Sequence, residues 1–308
     1  MSRVQFFTGK GGVGKSSLVA ATAIAAARQG RRPLIVELAH RATMQELFGE
    51  DIGSDPAMVY EGVHALRIDV DEAAERFVGK RTGAGRLARL PLLKRLFHAA
   101  PAVGEVLTLD RIIGLESETQ EDGTPRWGPI LVDLDASGHA VMFFSLSEVF
   151  EGLARGGPLR TLLDGFDALL DDPARSVLHL VTIPGPLPVQ ETLQLHAALS
   201  ARRAPKMGRL FVNRVTEPRY DETSLPMLES LAGEMPLAVA LAKRELTRAQ
   251  QSAASMSRLD LGLKTTRLAE HALPAPLDIA LALASELQAD ELKATENEAK
   301  ENEAKHEA

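Results

Sequence analysis

The chain contains no cysteine. Structural disulfides, a CxxC zinc clasp between subunits, a thiol site for a metalloid and a cysteine-held iron–sulfur cluster are therefore excluded. Long apolar runs are also missing. None approaches the length needed to cross a bilayer, and the first residues lead directly into a strand-like segment, so the expectation is a cytoplasmic protein with no stable membrane insertion. A strong charge imbalance is lacking too. The formal charge is −7, but residues 285–308 hold eight acidic and three basic side chains, so the rest is nearly balanced. That balance points away from nucleic acid as a partner. The remaining composition, 45% hydrophobic and 25% charged over 308 residues, suits a globular chain able to bury a large core.

The most informative stretch lies near the start. Arg3 to Thr8 reads as a short buried strand, and Leu18 to Arg28 as an alanine-rich helix. Between them Gly9-Lys10-Gly11-Gly12-Val13-Gly14-Lys15-Ser16-Ser17 fits G-x-x-x-x-G-K-[ST]. Residues without a Cβ let consecutive backbone N–H groups point inward around a polyphosphate, and the following helix adds its positive end. In such a loop the lysine, here Lys15, reaches the β- and γ-phosphates, and the hydroxyl of Ser16 ligates magnesium.

A second lysine, Lys10, opens the loop. The run Lys10-Gly11-Gly12-Val13-Gly14-Lys15-Ser16 resembles the deviant Walker A loop of a class of P-loop ATPases. That class includes the arsenical pump-driving ATPase, the tail-anchored-protein targeting ATPase, the partition and division-site ATPases and the nitrogenase iron protein. The resemblance implies that Lys10 reaches across a dimer interface to the partner's nucleotide and supplies charge during phosphoryl transfer.

Downstream, Pro33 to Glu37 reads as a second buried strand, so strand, helix and strand form the first unit of a doubly wound sheet. The segment after it resembles the switch I motif D-P-A-H-[SN]-L-x-D-x-F of the arsenical-pump and tail-anchored-targeting ATPases, through Ala39, His40, Leu47 and Phe48. Glu37 stands in place of the family's catalytic Asp, and Leu38 in place of its proline. The resemblance makes Glu37 the residue that orients water or holds magnesium through water, with a carboxylate one methylene further out. The other reading is an acid that merely ends a strand. Val63 to Asp69 is a further strand, and Asp71 to Glu75 opens a helix.

Pro129 to Asp133 is an apolar run closed by an acid, the pattern of a Walker B strand whose carboxylate holds a magnesium-bound water. Asp133 to Ala140 resembles the switch II motif D-T-A-P-T-G-H-T, matching at Asp133, Gly138 and His139 and departing at Asp135 and Ala136. Gly138 would then offer its N–H to the γ-phosphate. His139 is either a coupling residue or a packed helix-start histidine. Ser176 to Thr182 is another strand, leading through Pro184 to Pro188 into a helix that begins near Glu191. Arg209 to Arg214 resembles the strand end whose Asn contacts adenine, here Asn213, with a turn cap as the other reading. No N-K-x-D follows, so ATP is expected rather than GTP. Pro236 to Leu241 reads as the last strand, and Ala242 to Glu245 then takes the place of the family's adenine-side loop, with no contacts assigned to it.

These segments predict an α/β fold with a doubly wound, mostly parallel sheet, which the resemblance makes that of a P-loop NTPase. The expected ATPase domain spans 1–284, with short helical insertions at about 72–115 and 140–175. Residues 285–308 form an acidic tail, helical or disordered. Leu87, Leu90, Leu93 and Phe97 suggest a basic amphipathic helix, either packed on the sheet or offered to a partner or an anionic membrane. From Ala140 to Arg175 one long and one shorter helix are expected.

The resemblance implies a homodimer, or a heterodimer with a paralogue, that uses ATP and Mg2+ to change its hold on a protein client. An arsenite-pump subunit is the version least supported, for want of cysteine. The alternative is a nucleotide-binding regulatory or scaffold subunit with little hydrolysis, pairing with an active paralogue.

Overall fold

The computed structural model describes residues 2–38, 42–82, 101–134, 137–150, 156–216 and 222–306. The chain runs through β1 (Val4–Gly9), α1 (Lys15–Arg28), β2 (Leu34–Glu37), α2 (Thr43–Phe48), β3 (Ala57–Tyr60), β4 (Val63–Arg67), α3 (Val70–Thr82) and α4 (Pro101–Glu116). It continues through β5 (Ile130–Asp133), α5 (Ser137–Phe144), α6 (Leu146–Phe150), α7 (Gly157–Asp171), β6 (Ser176–Thr182), α8 (Pro186–Ser200) and β7 (Met207–Val215). The last elements are α9 (Leu225–Ser230), α10 (Pro236–Met256), β8 (Lys264–Ala269) and α11 (Pro276–His306).

The strands form one eight-stranded sheet in the order β3-β4-β2-β5-β1-β6-β7-β8. All neighbours run parallel except β3 and β4. The central strands β1, β2 and β5 are buried at every position, which is why they read as continuous apolar runs rather than alternations. Phe7, Ile35, Leu131, Val181 and Phe211 face one layer, built from α1 and α11. Phe6, Val36, Val132, Leu180 and Val212 face the other, with side chains of α4, α5, α7 and α8. Helices therefore cover both faces of a largely parallel sheet, the doubly wound α/β arrangement of a P-loop NTPase. Small side chains at Ala20, Ala21, Ala23 and Ala25 bring α1 close to the sheet.

Three expectations are corrected. Pro236 to Leu241 is the start of α10, not a strand, and Ala242 to Glu245 lie within the same helix rather than in a loop. Proline sits in its first turn, where a missing N–H is harmless, and apolar Leu237 and Leu241 stay exposed instead of entering the sheet. The last strand is β8, overlooked because only Thr266 and Leu268 of its six residues are buried. The helix expected after His139 is broken at Ser145, whose hydroxyl donates to Val141 O at 2.8 Å while its N–H donates to Met142 O at 3.0 Å. That bonding turns α5 into α6. The amphipathic pattern at Leu87 to Phe97 lies outside the described residues.

Helix α11 continues through the acidic segment. Leu283, Ala284 and Leu287 are buried, Arg28 Nη1 donates to Gln288 Oε1 at 3.3 Å, and Gln29 Nε2 donates to Glu291 Oε2 at 3.0 Å.

The buried titratable residues include a histidine. His179 on β6 lies between the rings of Phe7 and Phe211, with centroids 5.0 and 5.6 Å away, and its Nδ1 accepts the Arg209 N–H at 3.0 Å. Burial, helped by the charge of Arg209, lowers its pKa to about 3. The unfolded chain thus binds a proton near pH 6.5 that the fold refuses, so stability falls as pH drops from 6.5 towards 3. Urea denaturation between pH 6.5 and 5 should show His179→Phe losing less stability than the native chain, by up to about 1.4 kcal/mol per pH unit.

Candidate functional site

Parallel pairing sets three strand ends side by side. Glu37 of β2 is in register with Asp133 of β5, and Asp133 with Phe7 of β1. The chain leaves each of these strands at the same edge, where open α/β sheets bind ligands.

The loop after β1 is shaped by its glycines. A Cβ on Gly9 would lie 2.1 Å from Val181 O of β6, so no other residue fits without moving backbone. Gly14 has φ 89°, and a Cβ there would meet Asn213 Nδ2 at 2.3 Å. Asn213, 4% exposed, donates from Nδ2 to Val13 O at 3.0 Å and accepts the Arg214 N–H on Oδ1 at 2.9 Å. Its side chain therefore ties the loop to the end of β7. Gly14 is also the N-cap of α1 and brings no side chain to the helix start, so the first N–H groups are left for an anion.

Below the loop, Ser16 Oγ donates to Asp133 Oδ2 at 2.6 Å. Glu37 is fully buried. Its Oε1 accepts the Met44 N–H at 2.9 Å, while Oε2 is enclosed without a hydrogen-bond partner among the described residues. Burial raises the Glu37 pKa above the ordinary carboxylate value, the Met44 N–H opposes this, and the charge of Asp133 adds to it. One hydroxyl and two carboxylates make an all-oxygen set, and Glu37 Oε2 is a buried acceptor left unanswered among the described residues. Such a set fits Mg2+, which takes one or two carboxylates, keeps water and completes its shell with substrate phosphate. Among the described residues no group of three or more His, Cys, Asp or Glu forms an all-protein metal cage.

The two loop lysines differ. Lys15 Nζ donates to Lys10 O at 3.3 Å, across the loop's own curve. Lys10 Nζ pairs with Glu191 Oε1 of α8 at 2.5 Å, with both side chains partly exposed.

Residues 2–155 match the family described as Anion-transporting ATPase. The chain belongs to that family. It is 31% identical over 224 residues to the ATPase BagA of Mycobacterium tuberculosis, covering 69% of this chain and 65% of that protein. It is 28% identical over 223 residues to an arsenical pump-driving ATPase of Escherichia coli, covering 64% of this chain and 36% of that protein. A similar enzyme of Acidiphilium multivorum gives 28% over 222 residues, covering 63% and 36%. The chain thus spans about two thirds of the mycobacterial relative and little more than a third of the pump enzymes.

In this chain Gly9 to Ser17, Glu37, Asp133 and Asn213 converge on one edge of the sheet. Gly138 and His139 lie exposed in the first turn of α5, and no hydrogen bond joins them to the loop among the described residues. A Cβ at Gly138 would find open space, so packing does not demand glycine there. Ala39, His40, Asp135 and Ala136 lie outside the described residues. Three contributors escaped sequence reasoning: Met44 as backbone donor to Glu37, Val181 as the atom that makes Gly9 obligatory, and Glu191 as the partner of Lys10. Glu191 carried a weak signal, since the segment around it matched the family's helix start.

Replacing Asn213 by Ala removes the one side chain that holds the loop's Val13 carbonyl among the described residues. Asn213→Ala should lower stability by about 1–3 kcal/mol in urea denaturation, because Val13 O and the Arg214 N–H lose a buried partner. The same variant should bind nucleotide more weakly by equilibrium dialysis.

Proposed function

We propose that this chain binds ATP with Mg2+ and hydrolyses it, working in the cytoplasm as a dimeric switch whose nucleotide state controls its grip on a protein client. The observation that carries the reading is the Ser16–Asp133 hydrogen bond directly under a Lys-Gly-Gly-x-Gly-Lys-Ser loop, with buried Glu37 in register beside it. In this reading the loop amides of Gly9, Gly11, Gly12, Val13 and Gly14, with Lys15 and Ser17, hold the phosphates. Ser16 and Asp133 hold the metal, Asp133 through water and Glu37 also through water if it takes part. Magnesium supplies charge neutralisation at the β- and γ-phosphates. Glu37, fixed by the Met44 N–H, orients the attacking water and accepts its proton, a role suited to a carboxylate whose pKa is raised. Gly138 approaches the γ-phosphate, Asn213 bounds the adenine side, and Lys10 acts on the partner's nucleotide after leaving Glu191.

The pump enzymes named above are described as arsenical pump-driving. Without cysteine, this chain does not hold a metalloid as a thiolate complex. A second reading keeps nucleotide binding and assigns hydrolysis to an active paralogue. It is favoured by Glu37 itself, which is fully buried and one methylene longer than the aspartate expected there.

Steady-state ATPase assays separate the two. Glu37→Gln should retain ATP binding and lose about 10²–10⁴-fold in turnover, the usual worth of a positioned general base. Lys15→Ala should lose binding itself. ATP binding by the native chain without turnover, alone or with a paralogue, would overturn the first reading. Mixing Lys10→Ala with Lys15→Ala chains should restore part of the activity, because each heterodimer keeps one complete site. Absence of rescue in isolated heterodimers would remove Lys10 from a role in trans.

A further inference from the structure

A cleft of about 440 Å³ opens at the amino-terminal edge of the sheet, away from the phosphate loop. Its floor is made by Gln5 and Phe7 of β1, His179 of β6 and Phe211 of β7, and its walls by α1 and α11. The volume is that of a small-molecule site.

Two polar side chains line the floor. Gln5 is 8% exposed, and its side chain lines the cleft. His179 is equally enclosed, and its one bond is the Arg209 N–H given to Nδ1. That bond places the ring proton on Nε2, so the imidazole is a donor there. The low pKa of His179 keeps the ring neutral near pH 7, so this donor is a fixed dipole rather than a charge. Two donors lining a single cleft can converge on one acceptor. Gly208 makes the arrangement possible: a Cβ there would meet His179 Cε1 at 2.6 Å.

The remaining lining sets the chemistry of the occupant. Ala25, Ala26, Phe211 and Leu287 are apolar, whereas the mouth carries Arg31, Lys206, Arg209 and Lys264 against one acid, Glu291. Arg209 is paired with Asp290 at 3.0 Å, and Gln29 holds Glu291. The geometry points to a second small-molecule site, distinct from the nucleotide loop, that takes a flat, mostly apolar molecule bearing a carboxylate. The apolar body lies along Ala25, Ala26, Phe211 and Leu287, and the carboxylate accepts from His179 Nε2 and the Gln5 amide beneath the basic rim.

The test uses the full chain and 2-naphthoate as fluorescent probe, with the neutral 2-naphthamide as comparator. Saturable binding of one naphthoate per chain with a Kd below about 1 mM is expected, unaffected by excess ATP and at least about tenfold tighter than the amide. Val177→Trp, which fills the cleft from its edge, should abolish it. The exposed rim double variant Lys206→Glu with Lys264→Glu, which leaves the core untouched, should weaken it about tenfold. The proposal is overturned by absence of saturation up to about 10 mM, displacement by ATP, equal affinity for acid and amide, or unchanged affinity in the rim variant.

Discussion

The candidate site depends on one constraint, the parallel register that sets Glu37, Asp133 and Phe7 abreast across β2, β5 and β1. Because β5 enters the sheet between the first two strands of the chain, an acid about a hundred residues downstream comes to lie beneath the loop that β1 feeds. The Ser16–Asp133 hydrogen bond is the direct consequence. Shifting β5 by one residue would turn Asp133 to the opposite face, among the side chains of α5 and α7. The apolar positions of β5 prevent such a slip, since Leu131 must meet Phe7 and Ile35 on one face while Val132 meets Phe6 on the other.

Around that register the site combines fixed and movable parts. Gly9 is wedged against Val181 and Val13 is held by Asn213, so the loop's shape is set by backbone and a buried amide. Glu37 is equally fixed, one oxygen on Met44 and the other enclosed. Lys10 differs: its bond to Glu191 joins two partly exposed side chains, and such pairs contribute little to stability. A lysine held so weakly can change partners at small cost, while the cradle beneath it keeps its form.

Much of this was legible before any coordinates. The fully buried strands announced themselves as unbroken apolar runs, and the acids closing two of them marked the edge where a ligand binds. Edge elements were not legible. β8 buries only two side chains, and β3 pairs antiparallel through four residues at the sheet's end. Pro236 to Leu241 carries an apolar pattern compatible with a strand. The structure puts those residues in a helix that leaves Leu237 and Leu241 outside the core.

The sequence by itself determined the loop, its two lysines, the acids at the strand ends and the family, because each depends on local residue types at short spacing. Only the tertiary structure decided which groups meet. It set Asp133 against Ser16, gave Lys10 to Glu191 and turned Asn213 to the loop's own carbonyl. It also buried His179 beside Gln5 at the far edge of the sheet. Those pairings follow from strand order and from which face each side chain occupies, and neither is written in any single segment.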